Sequence, residues 1–174
     1  MNTDILKHAG RFIIVVFIQV VLLNQLVFSG YITPFIYPVF ILLLPFDIKG
    51  WWLLLLSFLL GITIDIFSNS LGMHAAASVF MGFMRPFVIN LISSKTDFDS
   101  GTEPRLSIMG LPWIFFYTII LAFLHHFFLF LIEIWGVGNL FKFFLRTFTS
   151  SIVSTLLILA FHLLLGNVSK ARRL

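Results

Sequence analysis

The sequence predicts an all-α integral membrane protein with six transmembrane helices. Three observations carry this reading. Of the 174 residues, 60% are hydrophobic and only 10% are charged, with a mean hydropathy of +1.08. Soluble domains run at about 45–50% apolar and about 25% charged, so this chain lacks the charges to cover a water-facing surface. It is equally far from the low hydrophobicity and high charge of disordered chains. Second, segments 12–21 and 51–60 are almost continuously apolar, whereas the strands of a membrane barrel alternate with period two. Third, at about 20 residues per span the length allows at most six or seven spans with short loops.

The spans follow in order. The first covers about 11–28. Lys7 and Arg11 precede it as in a secretory signal, but it ends in Leu26-Val27-Phe28-Ser29 with no small-x-small cleavage site, so it reads as an uncleaved span. The second, about 32–46, holds Pro34, Pro38 and Pro45. As a helix rising about 1.5 Å per residue it covers about 22 Å, short of the roughly 30 Å hydrocarbon core. It is either a kinked span in a thinned bilayer or a broken helix shielded by its neighbours. The third and fourth spans cover about 51–67 and 71–92. Residues 93–111 form a polar cytoplasmic loop, with an acidic stretch from Lys95 to Glu103 that reads as solvated and mobile, or as a contact for a cytosolic partner. The fifth and sixth spans cover about 112–135 and 143–165, and a basic tail (Lys170, Arg172, Arg173) follows. The whole chain, 1–174, is one membrane domain.

Charge sets the orientation. With the N-terminus inside, the inner side receives Lys7, Arg11, Lys49, Lys95, Arg105, Lys170, Arg172 and Arg173, and the outer side only Lys142 and Arg146. The positive-inside rule then places both termini in the cytoplasm. The net charge of +4 and pI of about 9.8 are topology signals on this reading, not a nucleic-acid footprint. Trp51, Trp52, Trp113 and Trp135 fall at span ends, where interfacial Trp belongs. The absence of Cys excludes disulfides, thiolate metal sites and a Cys nucleophile.

Polar groups inside a membrane are costly, so each is a candidate site. Asp65 lies near the outer end of the third span. It serves a proton, ion or partner, or it bonds the turn Ser68-Asn69-Ser70. Arg85 lies about 10 Å of helix from the inner end of the fourth span, within snorkelling reach of inner phosphates. Pro86 beside it should kink the span at Gly82. Asp65 and Arg85 lie about 15 Å apart in depth by helix rise, too far for an ion pair. Gln19, Asn24 and Gln25 read as packing amides, about 0.6 kcal/mol each. His74 and Asp65 flank one turn within hydrogen-bonding reach. His125 and His126 point about 100° apart on a helix, and with His162 far from them no metal site is expected. Glu133, Lys142 and Arg146 form an outer charge cluster or a weak surface pairing. No hydrolase elbow, phosphate loop, dinucleotide fingerprint or zincin motif occurs, so neither an enzyme nor a bound cofactor is expected.

The run from Gly61 to Ala77 resembles the signature of MreD, the bacterial rod shape-determining membrane protein family. Its pattern is a Gly, an Asp four residues later, a short Ser-containing turn, then Leu-Gly and small residues. Here these are Gly61, Asp65, Ser68, Leu71, Gly72 and Ala75, with His74 in the same turn. The Bacteroidetes branch is similar further: Gln19 and Asn24, Gly30-Tyr31 with Pro34 and Tyr37, the run from Phe40 to Pro45, and Arg85-Pro86. The resemblance covers roughly residues 12–92; the last two spans agree only in length and hydropathy. It implies a non-catalytic member of the elongation machinery in the inner membrane. Its partners would be an MreC-like single-span protein, actin-like MreB, and RodA with its transpeptidase, among membrane lipids and without nucleic acid. It also implies a bundle similar to the substrate-binding subunits of energy-coupling-factor vitamin transporters, which supplies a second reading as a small-molecule uptake component. Those subunits commonly carry an Ala-x-x-x-Ala face on the first span, and segment 12–28 contains neither Ala nor Gly. Gly61 and Asp65, one helical turn apart, share a face that packs internally or against a partner span.

Overall fold

A computed structural model describes residues 2–25, 32–93, 98–134 and 139–171. Among them every element is helical: α1 (Asn2–Phe17), α2 (Val39–Leu42), α3 (Gly50–Ser68), α4 (Met73–Ile92), α5 (Leu106–Met109), α6 (Leu111–Glu133) and α7 (Leu140–Ala171). A π-helical turn, Ile18–Leu23, continues α1. Five of these stretches are long and apolar enough to cross a membrane: Leu6–Leu23, Gly50–Ser68, Met73–Ile92, Leu111–Glu133 and Leu140–Leu164.

The sixth expected helix is absent. Segment 32–46 contains only the single turn α2, and the chain before it is non-helical. The prolines explain this. Pro34 and Pro38 lack an N–H and bias the residues before them away from helical angles. Yet residues 34–44 are all buried, so this segment is the broken, shielded alternative and the interior of the molecule.

The long helices pack in chain order, α3 on α4, α4 on α6 and α6 on α7, while α1 touches α2 and α3. Helix association in lipid relies on close approach of small residues, and two glycines provide it. A Cβ at Gly61 would lie 2.5 Å from the His74 carbonyl oxygen and would collide with the Ala75 backbone. A Cβ at Gly82 would lie 2.5 Å from Ser57 Oγ. The α3–α4 turn closes through Asn69 at φ 52° and Gly72 at φ 82°, left-handed angles that Asn and Gly tolerate best. Helix α4 runs unbroken through Pro86.

Several expectations change. The described part of the loop between α4 and α5 is docked rather than solvated: Phe98 stacks on Phe46 at 3.9 Å between centroids, and Phe46 N–H donates to the Thr102 carbonyl at 2.9 Å. The stacking supplies apolar burial, and Asp47 anchors the rest by accepting from Ser100 Oγ and Gly101 N. Trp51, Trp52 and Trp113 sit in the first turns of α3 and α6. Gly30, Tyr31, Lys95, Trp135, Arg172 and Arg173 lie outside the described residues, as does the side chain of Lys170.

The seam makes a graded prediction. Gly61→Ala should destabilise the protein by about 1–3 kcal/mol, the usual cost of overpacking a rigid contact. Gly10→Ala, whose new Cβ meets nothing within 4 Å, should be neutral or stabilise by about 0.5–1 kcal/mol. Denaturant unfolding of both variants in one detergent checks the contrast.

Candidate functional site

A non-helical segment in an apolar interior must find partners for its backbone outside itself. Segment 32–46 finds them on four helices. Helix α7 carries Thr147, Ser150, Ser151, Ser154 and Thr155, all buried at the spacing of one helical face. Ser150 Oγ accepts Thr33 N–H at 3.0 Å and Ser154 Oγ accepts Phe35 N–H at 2.8 Å. From the π-helical turn, Gln19 acts as a strand neighbour would. Its Oε1 accepts Ile36 N–H at 2.8 Å, and its Nε2 donates to the Pro34 carbonyl at 3.3 Å. Those two groups flank Phe35 as the partners in a parallel ladder do. Gln19 also donates to Asn24 Oδ1, and Asn24 to Ser68 Oγ at 3.0 Å, linking the π-helical turn to the end of α3.

The other end of the segment is held by cations and a phenol. Arg85, 1% exposed, does not snorkel as expected. Its Nη2 donates to the Leu44 carbonyl, its Nη1 to Pro45 O at 3.3 Å, and its Nε to Tyr117 Oη at 2.7 Å. Tyr117 passes its own proton to the Leu42 carbonyl at 3.2 Å, and Arg11 Nη1 takes the Leu43 carbonyl at 3.1 Å. The Leu42 and Leu43 carbonyls end α2 and are orphan acceptors there, and those of Leu44 and Pro45 follow in the non-helical chain. Removing Arg85 from water therefore costs less than burial of an unpaired charge.

Between the two ends stands Tyr37. Its single hydroxyl lies 2.9 Å from His74 Nδ1 and 2.6 Å from His125 Nε2. One hydroxyl proton serves one acceptor, so one imidazole must donate to the phenol. His125 Nδ1 is buried without a partner. Placing its proton on Nε2 leaves Nδ1 a lone pair instead of an orphaned N–H, the cheaper state. The chain therefore runs from His125 Nε2–H to Tyr37 Oη–H to His74 Nδ1. His126 is fixed independently. Its Nδ1 lies 2.7 Å from the Ala122 carbonyl, which can only accept, so Nε2 accepts from Ser154 Oγ at 3.1 Å.

Asp65 does something else. It is 4% exposed, and its Oδ1 accepts Ser70 Oγ–H at 2.6 Å and His74 N–H at 3.0 Å, while Oδ2 accepts Ala75 N–H at 2.8 Å. The carboxylate of one helix thus caps the first turn of the next, where negative charge meets orphan N–H groups and positive dipole. The His74 ring, expected near Asp65, turns to Tyr37 instead. Gly61 and Asp65 both face α4. Ser68 accepts from Asn24, Leu71 is fully exposed, and Gly72 is conformational.

Charge gathers at both ends of the bundle. Glu103, 5% exposed, is bonded by Lys7 through Oε1 and by Arg11 and Arg105 through Oε2, each 3.0 Å away. Burial opposes its ionisation, but the bonds from Lys7 and Arg11 and the charge of Arg105 outweigh it and bring the carboxyl from 4.5 to about 2. At the other end Arg146 pairs with Glu133 at 2.9 Å, reaches Thr33 Oγ1 and lies 4.0 Å over the Phe130 ring. The Lys142 side chain is not part of that pair. Gln25 is exposed, and among the described residues no three metal-ligating side chains cluster. His162 is buried near the Arg11 end.

Tyr37 was visible in the sequence only through the MreD resemblance, and Tyr117 and the α7 hydroxyls not at all. The spacing 147, 150, 151, 154, 155 was the available signal: a polar stripe on an otherwise apolar helix marks the face turned inward. No family model, curated protein or solved structure matches the chain.

Two predictions follow the site. Asp65→Ala leaves two buried N–H groups and a hydroxyl unpaired and should cost about 2–4 kcal/mol, with Asp65→Asn costing less because one acceptor oxygen survives; unfolding titrations in micelles rank the two. Glu103 has its folded carboxyl pKa depressed from 4.5 to about 2, so its stabilisation is complete above the unfolded value and is lost as pH falls through that window. The melting temperature should hold down to pH about 4.5 and fall toward pH 2, whereas Glu103→Gln should start lower and lose this component of the acid slope.

Proposed function

We propose that this chain is a non-catalytic membrane scaffold of the bacterial cell-elongation machinery, of the MreD kind, that binds an MreC-like single-span protein. The observation that carries the reading is the run from Gly61 to Ala77. The residues that resemble the MreD signature are those that lock α3 to α4: Gly61 admits the His74–Ala75 backbone and Asp65 caps α4. The polar interior also favours a scaffold over a substrate-capture protein. Asp65, Arg85, Gln19 and Ser154 are engaged by the chain's own backbone.

Six crossings fit this reading. One end of segment 32–46 is bonded near Arg146 and Glu133, the other near Arg11 and Arg85. Five non-helical residues, 32–36, at about 3.3 Å and the turn and helix of residues 37–42 at about 1.5 Å per residue reach about 25 Å, a shortfall against the roughly 30 Å core that local thinning of the bilayer absorbs. The gathering of Lys7, Arg11 and Arg105 at one end agrees with an inner-membrane protein whose termini are cytoplasmic. MreB, RodA and its transpeptidase would join through the assembled complex.

With the Gly61–Asp65 face occupied by α4, the partner span is assigned to the other side of the same helix pair. A groove of about 600 Å3 lies there, with Gly72, Ala75, Ala76 and Val79 among its lining and Phe58 and Phe80 beside them. A tagged chain purified from its native membrane in mild detergent should retain an MreC-like protein and elongation enzymes. Ala76→Trp, which fills the groove, should lower that recovery at least tenfold at unchanged expression. Recovery of transporter ATPases with a coupling subunit would replace the scaffold by the substrate-capture reading.

A further inference from the structure

The junction between α1 and the inner loop holds more positive charge than it uses. Glu103 is the one carboxylate among three cations, Lys7, Arg11 and Arg105, all in direct contact with it. Arg11 is buried, and its second arm is occupied by the Leu43 carbonyl. Lys7 and Arg105 differ: their side chains are 39% and 40% exposed. An ammonium has three donors and a guanidinium five. Lys7 uses one on Glu103 and Arg105 uses two, through Nε and Nη2. The nearby acid Asp47 is already bonded by Ser100 and Gly101, and Asp99 lies on the exposed face of the same loop. Contact pairing within the cluster therefore leaves an excess of two positive charges, with unused N–H donors on the partly exposed Lys7 and Arg105.

The depth of this excess identifies its ligand chemistry. Lys7 lies at the start of the apolar stretch Leu6–Leu23, and Arg105 lies six residues before the stretch Leu111–Glu133. Both stand where apolar helices meet the polar interface, the level of lipid phosphates. Both exposed cations are bonded to Glu103, which lowers the ordering cost of an anion contact between them.

We propose that Lys7 and Arg105 form a phosphate site for the headgroup of an anionic phospholipid, framed by Glu103. This site does not rest on the scaffold reading, since it uses neither the α3–α4 groove nor a protein partner.

Native mass spectrometry of the detergent-purified full chain, titrated with phosphatidylglycerol and separately with phosphatidylcholine, tests it. Phosphatidylglycerol should bind more tightly. Lys7→Gln and Arg105→Gln should each weaken it about fivefold, the weight of one basic residue near an anionic surface. Lys7→Arg and Arg105→Lys, which keep the charge, should keep the affinity, whereas in a cluster with a purely structural role lipid affinity does not follow the charge. Competition by inorganic phosphate at matched ionic strength, with equal affinity, would assign the same site to soluble phosphate. Equal binding of the two lipids, or wild-type affinity in folded Lys7→Gln and Arg105→Gln, would overturn the proposal.

Discussion

A stretch of backbone that is helical for only one turn runs through the middle of an apolar protein, and nearly every other feature answers to it. In lipid an unpaired N–H or C=O costs several kcal/mol, so segment 32–46 can exist only where side chains replace the missing helical bonds. Pro34, Pro38 and Pro45 reduce the demand by bringing no N–H. Gln19, Ser150 and Ser154 meet donors at one end, and Arg11, Arg85 and Tyr117 meet acceptors at the other. The π-helical turn belongs to the same solution. A wider turn re-aims the side chains that follow, and here Gln19 lies within it with its amide on the segment.

This arrangement changes what intramembrane polarity means in this chain. Asp65, Arg85 and the histidines are the residue types that mark ion and proton pathways in membrane proteins. Here Asp65 ends as a helix cap and Arg85 as a clamp on carbonyls. His126 is held between the Ala122 carbonyl and the Ser154 hydroxyl. Such bonded networks favour one packing over its alternatives. That property suits the scaffold proposed above.

The sequence was most informative where a single residue's physics decides the outcome. Apolar run lengths located α3, α4, α6 and α7 within a few residues, and Gly61 with Asp65 marked the α3–α4 seam. The prolines of segment 32–46 announced a break but not its path, because that path depends on hydroxyls more than a hundred residues away. Arg85 was legible as a cost but not as a clamp: its partners are backbone oxygens, which every residue possesses and no pattern distinguishes. Glu103 looked like a loop acid because local composition is silent about three cations, two of them nearly a hundred residues upstream.

The distance between donors and acceptors has a consequence for how the chain is made. Thr33 and Phe35 bond to Ser150 and Ser154, 117 and 119 residues downstream. At a synthesis rate of about 5–20 residues per second, those hydroxyls leave the ribosome some 6–24 seconds after the segment they serve. Throughout that interval the segment has no native partners on α7. Its Thr33 and Phe35 N–H groups gain those partners only when the last helix arrives. The packing of this segment is therefore completed from the C-terminal side of the chain.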